Sequence, residues 1–131
     1  MYDKQMNDKT LEELENDFWG KPKMKSHLVT ECHRLRKVPL NQFNVENLRI
    51  MLGQGSSVKY LLPIAIQKLE KDPLAEGDFY PGDLLSSVIR LPVNELSKYQ
   101  ELYAKLKDIV NSLQEIPEEI IEEVHKFKQS V

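Results

Sequence analysis

The stretch from Ser56 to Lys71, SSVKYLLPIAIQKLEK, sets the terms for the rest of the chain. Val58, Leu61, Leu62, Ile64, Ala65, Ile66 and Leu69 point in nearly every direction around a helical wheel. A helix that is apolar almost all round has to be covered on most sides by other elements. Either serine can open it, and Pro63 predicts a kink or restart, because its ring clashes with the preceding turn.

The flanking sequence supplies covering helices. Thr10 and Glu13 have capping-box spacing, so a helix is expected from Leu11 to about Asp17, with Leu11, Leu14 and Phe18 inward. Trp19, the one tryptophan, is expected in the core, and Gly20 and Lys21-Pro22 end the helix. Ser26 caps a second helix to about Lys37, with Leu28, Val29, Cys32 and Leu35 buried. Asn44 caps a third from Val45 to Leu52, and Gly53-Gln54-Gly55 is a tight turn. Gly82 and Asp83 lead into a fifth from Leu84 to about Arg90, with Asp83 placed to cap it. Asn94 is expected to cap a long sixth helix to about Leu113, whose Leu96, Tyr99, Tyr103, Leu106, Val110 and Leu113 form a heptad-like seam. Ile120, Ile121, Val124 and Phe127 mark a last helix. No stretch alternates long enough for a strand. The expected fold is all-α, a single compact domain over residues 1–131 of about six or seven helices, with an antiparallel helical hairpin over 94–131. The alternative use of the seam is dimerisation, which would make the chain a structural or regulatory module.

Between the fourth and fifth helices lies a loop rich in Pro, Gly and acids, containing Asp72, Glu76, Gly77, Asp78, Phe79, Tyr80, Pro81, Gly82 and Asp83. Adjacent aromatics are costly to expose, so Phe79 and Tyr80 are expected to pack back and fix the loop's shape. Asp72 and Asp78 can satisfy loop amides. The net charge of −3 is uneven: residues 1–71 carry 12 Lys and Arg against 9 Asp and Glu, residues 72–131 carry 6 against 12. Asp72–Asp83 and Glu115–Glu123 contain no base at all. Such a field disfavours nucleic acid and favours a basic partner, although taken alone the charge run is better accounted for by solvated helix faces.

Other classes find little support. The longest apolar run, Tyr60–Ile66, is too short to span a membrane. The polar start MYDKQMNDKT carries no secretory signal, and the single Cys32 fits a reducing compartment, so a cytoplasmic location is expected. His27, Glu31, Cys32 and His33 do not converge as zinc ligands must. Asp78 and Asp83 could be drawn as a hydrolytic carboxylate pair, yet no His, Ser or Cys stands beside them in a nucleophile setting. The residues favour a binding protein without enzyme activity, metal or cofactor.

The strings LEELENDFWG (11–20), LRKVPL (35–40), NLRIMLGQG (47–55), YLLPIAIQKLEKDPL (60–74) and EGDFYPGDLL (76–85) resemble, in that order, immunity proteins of bacterial contact-dependent growth inhibition (CDI) systems. The resemblance covers residues 10–92 and is weak beyond Asn94. It implies a cytoplasmic protein that binds and blocks the C-terminal toxin domain of a large cell-surface effector delivered by neighbouring cells. Such toxins are frequently nucleases, which implies a basic, nuclease-like partner in a 1:1 complex with a monomeric inhibitor. Residues shared across a family of diversified partners maintain the fold, so Gly77, Phe79, Tyr80, Pro81, Gly82 and Asp83 are assigned to the loop framework. Toxin contact is assigned to Asp72, Glu76 and Asp78, with Glu118, Glu119, Glu122 and Glu123 as a second patch.

Overall fold

The computed structural model describes residues 8–21 and 26–130. The first seven residues and Pro22, on which the signal and helix-stop readings partly rest, lie outside them. Among the described residues there are eight α-helices and no strand. In chain order these are α1 (Leu11–Glu15), α2 (His27–Leu35), α3 (Val45–Gly53), α4 (Val58–Lys71), α5 (Asp83–Ile89), α6 (Val93–Leu96), α7 (Gln100–Asn111) and α8 (Ile121–Gln129), with 3-10 turns at Leu40–Gln42 and Glu118–Ile120.

The apolar helix is the central one. α4 packs against α3, α5 and α7, and buries Val58, Leu61, Leu62, Ile64, Ala65, Ile66 and Leu69. It runs through Pro63 without a restart. Proline removes one donor and crowds one carbonyl, that of Lys59 in the first turn, and burial on the three neighbouring helices offsets that local cost. The α3–α5 packing is the most extensive in the fold, α2 leans on α3, and α8 lies against α5. One cluster of buried side chains joins all of these helices.

Local signals set several helix starts. Thr10 and Glu13 form the reciprocal capping box, and Asn44 and Asn47 form a second one at α3. Ser57 does not cap α4; it sits at φ 54°, and its hydroxyl donates to Glu15 Oε2 at 2.9 Å.

Three expectations near the N-terminus need correction. α1 stops at Glu15 because Asn16 turns left-handed, at φ 52°, which takes Phe18 off the helical register and leaves it exposed. Leu28 is also exposed. Trp19 is 43 % exposed rather than in the core. Its indole donates to Asp17 Oδ2 at 3.1 Å and its ring lies 4.3 Å from the Arg36 guanidinium. Arg36 is only 2 % exposed and is paired with Glu15 and the Asp17 carbonyl. Trp19 is thus the cover over the buried Arg36 guanidinium, whose Nε has no hydrogen-bond partner among the described residues and whose charge gains a cation–π contact from the ring.

The long sixth helix is two helices. α6 begins after Pro92, with Asn94 inside it, and ends where the Ser97 hydroxyl donates back to the Val93 carbonyl at 2.7 Å. Lys98 and Tyr99 then make tighter bonds to carbonyls three residues back, and Tyr99 leaves the helical region, at φ −123°, ψ 68°. Local hydroxyl-to-backbone bonding of this kind competes with helix continuation. The seam residues Leu96, Tyr103, Leu106 and Val110 are buried within the chain, and α7, which carries the last three, packs mainly against α4. They are not available as a dimer face. α7 and α8 meet through Tyr103 and Phe127, with ring centres 6.1 Å apart; their principal partners are α4 and α5.

Candidate functional site

The acidic loop between α4 and α5 is closed at its base by two backbone bonds. Ala75 N–H donates to the Asp72 carbonyl at 3.1 Å and Gly82 N–H to that of Leu74 at 3.1 Å. Asp72 also accepts from Leu74 N–H through its side chain, at 3.2 Å, the local turn chemistry expected of Asp.

The tip is organised by two carboxylates. Asp83 is 2 % exposed and does not cap α5; Gly82, at φ 89°, occupies the cap position. Asp83 Oδ1 instead accepts from Gly77 N–H at 2.7 Å, and Oδ2 accepts from Phe79 N–H at 3.1 Å and, at the limit of a bond, Tyr80 N–H at 3.5 Å. Glu46, reaching across from α3, accepts from Asp78 N–H at 2.9 Å. Four successive amides thus converge on two carboxylates, and each such bond is charge-assisted. A side chain at Gly77 would place Cβ 2.5 Å from Glu46 Oε1 and 3.1 Å from Asp83 Oδ2, so the close approach requires glycine.

Arg49 balances the pair. Its Nε and Nη2 bind Glu46 at 2.6 and 2.5 Å, and Nε stands 3.9 Å from Asp83 Oδ2. The hydrogen bonds from Arg49, and secondarily from the Asp78 amide, hold the Glu46 carboxyl below its ordinary range, while Glu46 pushes the Arg49 guanidinium up. The Arg49 guanidinium lies 4.4 Å from the centre of the Phe79 ring. Phe79 is not packed on the core: it is 66 % exposed, a ring held outward on a fixed loop. Tyr80 does pack against the core. The loop framework therefore divides, with Gly77, Tyr80, Gly82 and Asp83 turned inward and Phe79 and Pro81 outward.

Asp72, Glu76 and Asp78 are exposed at this loop, as are Glu118, Glu119 and Glu122 in the later segment. The two segments adjoin. Fully buried Ile120 sits against the positions of Gly82 and Leu74, so close that a Cβ on Gly82 would stand 2.9 Å from Ile120 Cδ1. Glu123 differs from its neighbours: it accepts from Arg90 at 2.9 Å, which holds its carboxyl below the ordinary range. Beside Phe79 lies a surface notch of about 200 Å³ lined by Arg49, Tyr80, Asp83, Ser86, Ser87 and Arg90.

Glu46 and Arg49 have no counterpart in the sequence reading. Their one local signal is a Glu–Arg pair three residues apart on a helix, which is common on any surface. Nothing local says that the pair reaches a loop some thirty residues later. Three of the four former metal candidates are engaged otherwise. Glu31 pairs with Arg34 at 2.6 Å, His33 edges onto Trp19, and Cys32 is buried, its thiol pushed up by that burial and by Glu31. Among the described residues no three His, Cys, Asp or Glu side chains gather as metal ligands. Asp83, the buried half of the drawn carboxylate pair, has both oxygens occupied by loop amides.

The helical frame thus carries an ordered loop, an exposed Phe79 ring stacked on half-buried Arg49, and an adjoining acidic segment. The family model of CDI immunity proteins matches residues 13–106, well over half of the chain, and the chain belongs to that family. The match runs past Asn94 into α7, beyond the part in which the motifs are recognisable by eye. No curated protein matches the chain. Membership makes this an immunity protein against a CDI toxin. No helix among the described residues is long and apolar enough to cross a membrane.

Proposed function

We propose that the chain neutralises the toxin domain of its cognate effector in the cytoplasm, as a 1:1 complex and without enzymatic chemistry, by covering a basic, nuclease-type cleft with its acidic loop and the adjoining Glu-rich segment. The observation that carries this is the loop's construction. Exposed Glu76 and Asp78 flank or belong to the Gly77–Tyr80 backbone tied down by Asp83 and Glu46, and exposed Asp72 stands at the loop's base, beside exposed Glu118, Glu119 and Glu122. A loop backbone ordered in advance loses little conformational freedom on binding. Their collected field speeds encounter with a basic cleft and stands in for the phosphate backbone there. A standard interface takes about 800 Å² from each partner, a small part of the 8050 Å² surface of this chain.

Reversing charge at the loop tests the reading. Glu76→Lys combined with Asp78→Lys should weaken toxin binding at least tenfold at low salt, about 1.4 kcal/mol, with the deficit shrinking as salt screens it. Calorimetric titration at two ionic strengths reads both effects. Unchanged affinity would move the interface away from the loop.

A further inference from the structure

Resting on the toxin-binding reading above, we infer that the notch beside Phe79 is a socket for one carboxylate side chain of the toxin, received by Arg49, Arg90 and the Ser86 hydroxyl.

The notch differs chemically from the acidic rim around it. Arg49 lines it from α3 and Arg90 from the end of α5, with Ser86 and Ser87 contributed by α5 between them. Ser86 is 1 % exposed, and its Oγ has no hydrogen-bond partner among the described residues. Buried hydroxyls in folded proteins are almost always bonded. The Ser86 Oγ is itself buried beneath the notch that its residue lines, so its bonding capacity is unfilled within the protein and can turn to a group that enters there.

The unspent polar capacity there consists of donors. Arg49 commits Nε and Nη2 to Glu46, and Arg90 commits Nη2 to Glu123; a guanidinium has five N–H donors and no acceptor. The charged acceptor in the lining, Asp83, is already filled by loop amides. Each guanidinium already has a carboxylate partner, Glu46 for Arg49 and Glu123 for Arg90, so an incoming lysine or arginine would find acceptors that are already engaged by these arginines or by loop amides. An incoming Asp or Glu can accept from both guanidinium groups and from the hydroxyl at once. The space of about 200 Å³ admits a side chain and falls short of the roughly 300 Å³ at which small-molecule sites begin. The Phe79 ring forms the neighbouring wall, and closing it against a partner would keep water from the ion pairs, as around interface hot spots. A single acid on an otherwise basic toxin surface would then fix the register of the complex, which the diffuse acidic rim cannot do by itself.

The test uses the full chain and the toxin-bearing region of the cognate effector. Ser86→Ala and Arg90→Gln are titrated by calorimetry, and each is also melted alone. Ser86→Ala should melt at or above the parent temperature, because it removes an unsatisfied hydroxyl, yet bind about tenfold more weakly. Arg90→Gln should lose a similar factor while its melting temperature stays within about 2 °C. In an Asp→Asn and Glu→Gln scan of the toxin, one substitution should cost the same factor against the parent and little more against either variant. Parent-like affinity in both variants, or full additivity with every toxin substitution, overturns the socket and leaves the immunity reading standing. Failure of the unaltered chain to bind the toxin region removes the reading on which the socket rests.

Discussion

Replacing Asp83 by Asn separates a carboxylate that builds the loop from one that merely decorates it. The substitution keeps size and shape and removes the charge. Asp83 is 2 % exposed and accepts from Gly77 at 2.7 Å on one oxygen and from Phe79 at 3.1 Å on the other. Asn has one acceptor oxygen, so either orientation of its amide turns an NH₂ group against a loop N–H. One short charge-assisted bond is lost and a donor is left facing a donor. A hydrogen bond to a charged group contributes about 1.5–3 kcal/mol, and the loop can recover part of that by opening to water, so a loss of about 2–3 kcal/mol is expected. For 131 residues, an unfolding entropy of about 2.1 cal/mol/K per residue converts this to a fall of roughly 7–11 °C in Tm. Asp78→Asn is the control. That carboxylate is exposed; its backbone N–H donates to Glu46 and its charge lies within the field of Arg49, a surface pairing whose loss should stay within about 1 kcal/mol. Calorimetric melts of the two variants beside the parent decide the matter. An Asp83→Asn protein melting within about 2 °C of the parent would refute the claim that this carboxylate organises the loop.

Two further outcomes follow from the same geometry. Glu46 is held below its ordinary value of 4.5 by Arg49 and the Asp78 amide. It therefore contributes stability above that value, and the contribution fades as pH falls through its lower folded value. Glu46→Gln should flatten the acid limb of Tm against pH below about pH 5, and an unchanged acid limb would show that the pairing contributes nothing. Leu106→Ala, in a residue with 0 % exposure, should cost about 2–5 kcal/mol and leave the mass by light scattering that of one chain; a parent dimer that this change splits would restore the seam as an intermolecular interface.

The architecture was legible where its cause is local. The all-round apolar pattern of Ser56–Lys71 identified the central helix, and Thr10 with Glu13 and Asn44 with its following helix marked two starts within a residue. What could not be read depends on partners distant in the chain. Phe79 beside Tyr80 looks like a buried pair, and only Arg49, thirty residues earlier, explains why one ring stands outward. Trp19 looks like a core anchor until Arg36 is seen beneath it. Asp83, preceding a helix, has the local signature of a cap, while the amides it serves lie in the loop behind it. The heptad-like spacing through Tyr99 conceals the break at Ser97, because side-chain periodicity carries no information about a hydroxyl returning to the backbone. The acids expected to meet the toxin were visible as composition. Their adjacency, created by Ile120 against Gly82, required the fold.

Growth under toxin expression tests the central claim most directly. Cells producing the toxin-bearing C-terminal region of the cognate effector should continue to divide when this chain is co-expressed and arrest when it is withheld. Continued arrest in the presence of soluble, folded chain would contradict the account.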